Sequence, residues 1–253
     1  MANQRRGTDR TSLKFSTKLV ILLGIIIEAI ITILFRLTDD QLQHWILQKE
    51  HVRKQVLIKV GEIFQFTPQS FIEEKEQWRK FYQKHFSLEL NFVDMVIPEK
   101  PLEGTWRLII IAQGLTLNQV YKSMSNAFKC WKYADDLDKA IPKNARNTKN
   151  AYAIWVRDEV EPDTQYLGKS TNQADPNMTI GVTLLERMIH EMIYFDETGK
   201  HLDIKGVTFC TGSRYSAGSV PFVDWGSGGQ WVRVLWCCMD CSLSGFGLRS
   251  AIS

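Results

Sequence analysis

The sequence predicts an α+β fold: an N-terminal transmembrane helix and helical stalk, then a mixed or antiparallel sheet domain with two helices. Three observations carry this expectation. An apolar run, "LVILLGIIIEAIITILF" at 19–35, follows a basic arm. Apolar residues then recur at helical spacing as far as residue 86. Beyond residue 87, short runs rich in Val, Ile, Phe and Trp flank two helical patterns and gather toward the C-terminus. The expected divisions are a basic cytoplasmic arm (1–18), a transmembrane signal-anchor (19–36), a helical stalk (37–86) and an α+β domain (87–253).

The arm holds Arg5, Arg6, Arg10, Lys14 and Lys18 against Asp9, a net +4. The whole chain carries +3, so everything after the arm sums to −1. A nucleic-acid binder usually wears its positive charge on the folded domain, so no nucleic-acid partner is expected. Positive charge beside an apolar run instead predicts that the N-terminus stays in the cytoplasm and the body lies outside it. Within 19–35, thirteen residues are Leu, Ile, Val or Phe. Together they favour insertion by about 4–8 kcal/mol, against roughly 3 kcal/mol for the carboxylate of Glu28. The apolar residues win. Lys18 and Arg36 reach the interfaces by snorkelling. The run is longer than a cleavable signal requires, and "FRLTDD" has no small-x-small cleavage site.

In the stalk, Thr38 and Gln41 form a capping-box pattern, and Asp39 and Asp40 suit the positive start of a helix. Apolar positions at 42, 45, 46, 52, 56, 57, 60 and 63 keep helical spacing. Pro68 suits the first turn of a second helix marked by Phe71, Trp78, Tyr82 and Phe86. In the domain, "LELNFVDMVI" (88–97), "WRLIIIAQ", "AYAIWVRD", "GVTFC", "VPFVDW" and "WVRVLWC" read as strands. "LTLNQVYKSMSNAFKCW" and "TIGVTLLERMIHEMIYFDETGKHLD" read as helices, the second stopped by Gly199. The order is β-β-α-β-α-β-β-β. "IPKNARNTKN" and "EPDTQYLGKSTNQADPN" read as polar loops. Eight Trp, seven Tyr and thirteen Phe supply a real core.

Five cysteines are present: Cys130, Cys210, Cys237, Cys238 and Cys241. Cys238 and Cys241 form a C-x-x-C pair, but no second pair completes a zinc set, so no metal site is expected. A redox C-x-x-C usually opens a helix, and "SLSGFG" after this pair is a poor helix, which argues against redox catalysis. Outside the cytoplasm, a disulfide or free thiol among Cys237, Cys238 and Cys241 becomes plausible, and buried or incidental cysteines are the commoner reading. In "FCTGSRYSAG", Ser213 and Arg214 suit an anion-binding turn after Cys210, and a strand-to-strand loop with a surface Arg is the plainer reading. Only three residues separate Cys210 from Arg214, which excludes the tyrosine-phosphatase spacing of five. His190 and Glu191 lack the second His of a metalloprotease helix, since residue 194 is Tyr. Asp135, Asp136 and Asp138 suit a divalent ion or, more commonly, a helix start. Of Trp225, Trp231 and Trp236, an exposed one would offer a platform for sugar or peptide, and core packing is the plainer role.

Residues 112–253 resemble a family of uncharacterised bacterial hypothetical proteins. "AQGLTLNQVY", "YAIWVRDEVEPD", "TLLERMIHEMIYFDETGKHLD", "GSRYSAG", "VPFVDW" and "GLRSAIS" carry the resemblance, and "CCMDC" departs from it. The resemblance implies no activity, cofactor or catalytic residue. The leading expectation is therefore a membrane-anchored binding or structural module. It would meet lipid through residues 19–36 and a protein partner through the stalk, and it needs no cofactor. The alternatives are an enzyme with its site near Cys210, Ser213 and Arg214, and a soluble protein with an N-terminal interaction helix.

Overall fold

The computed structural model describes residues 24–25, 27–29, 31–32, 36–48, 68–90 and 95–253. The chain divides into two compact units, Met1–Phe71 and Ile72–Ser253. In the first unit, the described residues between 24 and 32 have helical backbone, and Ile25, Ile27 and Ile31 are 60%, 54% and 47% exposed. Helix α1 (Asp39–Leu47) opens on the expected capping box. Thr38 N–H donates to Gln41 Oε1 at 3.0 Å, and Gln41 N–H donates to Thr38 Oγ1 at 3.4 Å. Among the described residues, no helix is long and apolar enough to cross a membrane. Most of the expected span 19–36, and stalk residues 49–67, lie outside the described residues.

Helix α2 (Pro68–Phe86) ends where the expected stalk ends. From Ile72 onward it belongs to the C-terminal unit, and Trp78, Phe81 and Tyr82 sit in that unit's main core. The reason is aromatic content: rings of this size each bury 150–250 Å², too much area to leave in water on a free stalk. The Tyr82 hydroxyl donates to Ile110 O at 2.7 Å and accepts from Ala112 N–H at 3.1 Å, which fixes the helix to the end of β1.

The C-terminal unit is α+β. β1 (Trp106–Ile111) pairs antiparallel with β4 (Tyr152–Arg157). A mixed five-stranded sheet contains β2 (Cys130–Lys132), β5 (Val207–Phe209), β7 (Val220–Gly226), β8 (Trp231–Cys237) and β9 (Phe246–Leu248) in the order β2-β8-β7-β5-β9. The β2–β8 and β5–β9 pairs are parallel, and the rest are antiparallel. β3 (Lys143–Asn144) and β6 (Ser213–Arg214) make a two-residue ladder. Helices are α3 (Leu117–Ala127), α4 (Leu137–Ala140), α5 (Thr171–Ala174) and α6 (Leu184–Thr198).

Period-two alternation gives the sheet two faces. Val223, Val232 and Val234 face the main core, which also takes in α6. Val207, Phe209, Val220 and Phe222 face a smaller core closed by Leu235, Cys237, Met239, Cys241 and Phe246. Two helices were expected at 87–253, and the described residues there form four α-helices, two of them single turns, and a short 3-10 helix at Thr164–Tyr166. The strand expected at 88–97 is not formed in its described residues, where Leu90, Met95 and Ile97 instead pack one by one on the main core. Alternation alone makes no strand without a ladder partner.

Helix α6 is the central element. Thr183 and Glu186 form its capping box, and Gly199 ends it at φ 66°, a left-handed conformation that glycine adopts at little cost. Every residue from Leu184 to Ile193 is buried. Its buried charges are satisfied internally. Arg187 donates to Glu191 Oε2 at 2.8 Å and Asp203 Oδ2 at 2.7 Å, and Arg249 donates to Asp203 Oδ1 at 2.6 Å. Two cations thus meet two carboxylates, as burial of charge requires. His201 Nδ1 lies 2.9 Å from Glu191 Oε1, and its ring stacks on Trp225 at 4.0 Å.

Candidate functional site

The residues singled out for chemistry in "FCTGSRYSAG" are used inward. Cys210 is fully buried, and burial pushes its thiol well above the ordinary range. The Ser213 hydroxyl donates to Asn144 Oδ1 at 2.6 Å and accepts from Leu184 N–H at 2.9 Å. The Arg214 guanidinium donates to the carbonyls of Thr211, Ser213 and Asp175 at 2.5, 2.9 and 3.4 Å. Burial lowers its pKa, and the Asp175 charge opposes that only in part. This turn holds β6 against β3 and the start of α6.

The aspartates cap helices. Asp136 accepts from Lys139 N–H at 3.1 Å and from Asn118 Nδ2 at 2.8 Å, and the Asn118 bond is the main reason its carboxyl is lowered to about 2. Asp138 accepts from the Leu117 and Asn118 N–H groups at 2.8 and 3.2 Å. Among the described residues, no group of three or more His, Cys, Asp or Glu suits a metal ion. Trp225 stacks on His201, while Trp236 is 40% exposed beside Tyr133, with ring centroids 5.6 Å apart.

An open cleft forms where residues 141–150, which the sequence presents as a polar loop, meet the starts of α3 and α6. The cleft measures about 280 Å³. The start of α3, the α4–β3 connection, residues 146–148, Tyr152 and the N-terminus of α6 line it. Arg146, Asn147 and Tyr152 also border an adjoining groove of about 610 Å³ with Val96, Pro98 and Ala153. Behind the cleft wall stands Glu186, fully buried, which holds the polar lining in place. Arg146 Nε donates to Glu186 Oε1 at 2.7 Å and Nη2 to Oε2 at 2.8 Å, a bidentate pair. Tyr152 donates its hydroxyl to Glu186 Oε1 at 2.8 Å, and Thr183 N–H donates to Oε2 at 2.7 Å. Burial, followed by the Glu186 charge, pushes the Tyr152 phenol far up, so it stays protonated as a donor.

The loop that carries Arg146 is fixed from both sides. Arg146 Nη2 also donates to Gly181 O at 2.8 Å. Gly181 is in turn held by Asp175, whose carboxylate accepts from the N–H groups of Thr179, Ile180 and Gly181 and from the Thr211 hydroxyl. A Cβ at Gly181 would lie 1.8 Å from Thr211 Oγ1, so this approach requires glycine. The Thr183–Glu186 box was a readable signal for this site, because a buried N3 carboxylate needs a cation. Nothing in the sequence pointed to Arg146 as that cation. No protein-family model, curated protein or solved structure matches this chain.

Proposed function

We propose that the protein is a membrane-anchored binding module whose C-terminal unit takes a small polar solute in the cleft at Arg146, Asn147 and Tyr152. The cleft itself carries the binding reading. Glu186 orients Arg146 and Tyr152 in advance, so a ligand meets polar atoms that lose little freedom on binding. Leu115, Ile141 and Leu185 give it apolar walls, the usual mixture in a small-molecule site. A volume near 280 Å³ suits a monosaccharide, an amino acid or a nucleoside-sized fragment. The anchor reading rests on the balance of apolar residues against Glu28, and the exposure of Ile25, Ile27 and Ile31 on helical backbone is consistent with it. It places the N-terminus in the cytoplasm and the C-terminal unit outside.

The test is a thermal-shift screen of the full chain in detergent micelles against sugars, amino acids and nucleosides, followed by titration calorimetry on any hit. The expected result is at least one class that raises the unfolding temperature. Asn147→Leu, which fills the cleft without touching the Glu186 network, should weaken that ligand tenfold or more. A hit that binds the variant unchanged would place the ligand elsewhere and refute the reading.

A further inference from the structure

Strand β8 ends at Cys237, and the next four residues, Cys238 to Cys241, turn back on themselves. Cys241 N–H donates to Cys238 O at 3.2 Å, which closes the turn. The two sulfurs lie 2.7 Å apart, with both cysteines as free thiols. Cys238 is exposed, and Cys241 partly so. The backbone of the turn is held from outside by independent bonds. Asn172 N–H donates to Met239 O at 3.1 Å, Asn172 Nδ2 donates to Asp240 Oδ1 at 2.6 Å, and Ser242 Oγ donates to Gly168 O at 2.8 Å. The thiols are thus kept together by the fold and need no covalent bond to stay adjacent.

We propose that Cys238 and Cys241 form a reversible dithiol–disulfide couple in which Cys238 attacks and Cys241 resolves. The roles follow from position. Cys238 is the more open to an incoming disulfide, whereas Cys241 and Cys237 pack against the Phe209–Phe222 core. The acid–base order agrees. Hydrogen bonding with the Cys241 side chain, helped by the Asp240 and Cys241 N–H groups, holds the Cys238 pKa below its ordinary value. The same bond raises Cys241, and burial raises Cys237. A thiolate is the attacking species, so the lowered thiol goes first.

With a small-molecule disulfide as oxidant, Cys238 thiolate attacks one of its sulfurs. That S–S bond breaks, one thiol leaves with a proton, and a mixed disulfide forms on Cys238. Cys241 then loses its proton and attacks Cys238 Sγ, which expels the second thiol. Two protein thiols are oxidised and one external disulfide is reduced to two thiols. The same steps in reverse restore the dithiol. The couple is independent of the ligand cleft.

The test equilibrates the full chain, in detergent micelles, across glutathione buffers, alkylates it and weighs the tryptic peptide 234–249, which contains Cys237, Cys238 and Cys241. Three labels are expected under reducing conditions and one, on Cys237, under oxidising ones, with full interconversion. Cys237→Ser should behave as wild type apart from its missing label. Cys241→Ser should accumulate a glutathione adduct on Cys238, and Cys238→Ser should give at least tenfold less adduct. Three labels in the most oxidising buffer would overturn the proposal. So would a Cys237–Cys241 bridge in Cys238→Ser, or a bridge that reducing glutathione cannot open.

Discussion

His190 sits fully buried on α6, and among the described residues neither ring nitrogen has a hydrogen-bond partner. Burial, then the charges of Arg249, Arg187 and Arg107, holds its pKa well below 6.5. The folded chain therefore keeps the imidazole neutral, while the unfolded chain takes up a proton near 6.5. The unfolded state binds more protons below that value, so stability falls as pH drops, by at most about 1.4 kcal/mol per pH unit for one site. Urea unfolding between pH 7 and pH 5 should show that decline, and His190→Leu should flatten it. An unchanged slope in the variant would assign the decline to other groups. Asp203 acts in a lower window. Burial would raise it, but Arg187 and Arg249 outweigh burial and lower it, so its contribution is present above 3.8 and disappears as pH falls through its folded value. At Ser213 and Arg214 the hydroxyl serves the Asn144 side chain and the Leu184 N–H, and the guanidinium serves backbone carbonyls. Residue type alone does not distinguish these uses from service to a ligand.

At the scale of elements, helix starts were the most legible feature. Thr38–Gln41 and the Gly199 stop are local signals, and both are used as the sequence suggested. Thr116–Gln119 and Ser170–Gln173 carry the same box at the starts of α3 and α5. Strands β3 and β6 were not legible, because they are two residues long and show no period. Their pairing depends on Asn144 and Ser213, which are far apart in sequence. β2 was hidden at the end of the α3 pattern, where a parallel partner in β8 overrides local preference. Docking of α2 was missed for a similar reason: the stripe of aromatics was visible, but not what it faces. Tyr82 tests that docking. Tyr82→Phe leaves Ala112 N–H and Ile110 O without their buried partner, and it should cost about 1–3 kcal/mol in chemical denaturation. A loss below about 0.3 kcal/mol would mean that the helix is held by ring packing alone.

At the scale of the molecule, the chain has two compact units with different surfaces. The C-terminal unit owns the cores, the ionic network and the cleft. The N-terminal unit shows isoleucines that are open on helical backbone. The apolar run and the basic arm are read directly from residue type. The aromatic side chains at 78–86 serve a core built mostly from residues beyond 100, which residue type alone does not show. The proposed anchor assigns membrane attachment to the first unit and leaves folding to the second. The direct measurement is alkaline carbonate extraction of cells that express either the full chain or residues 72–253. The account predicts that the full chain stays with the membrane pellet, while residues 72–253 are released and unfold in one cooperative transition. Release of the full chain by carbonate, or retention of residues 72–253 in the pellet, would contradict it.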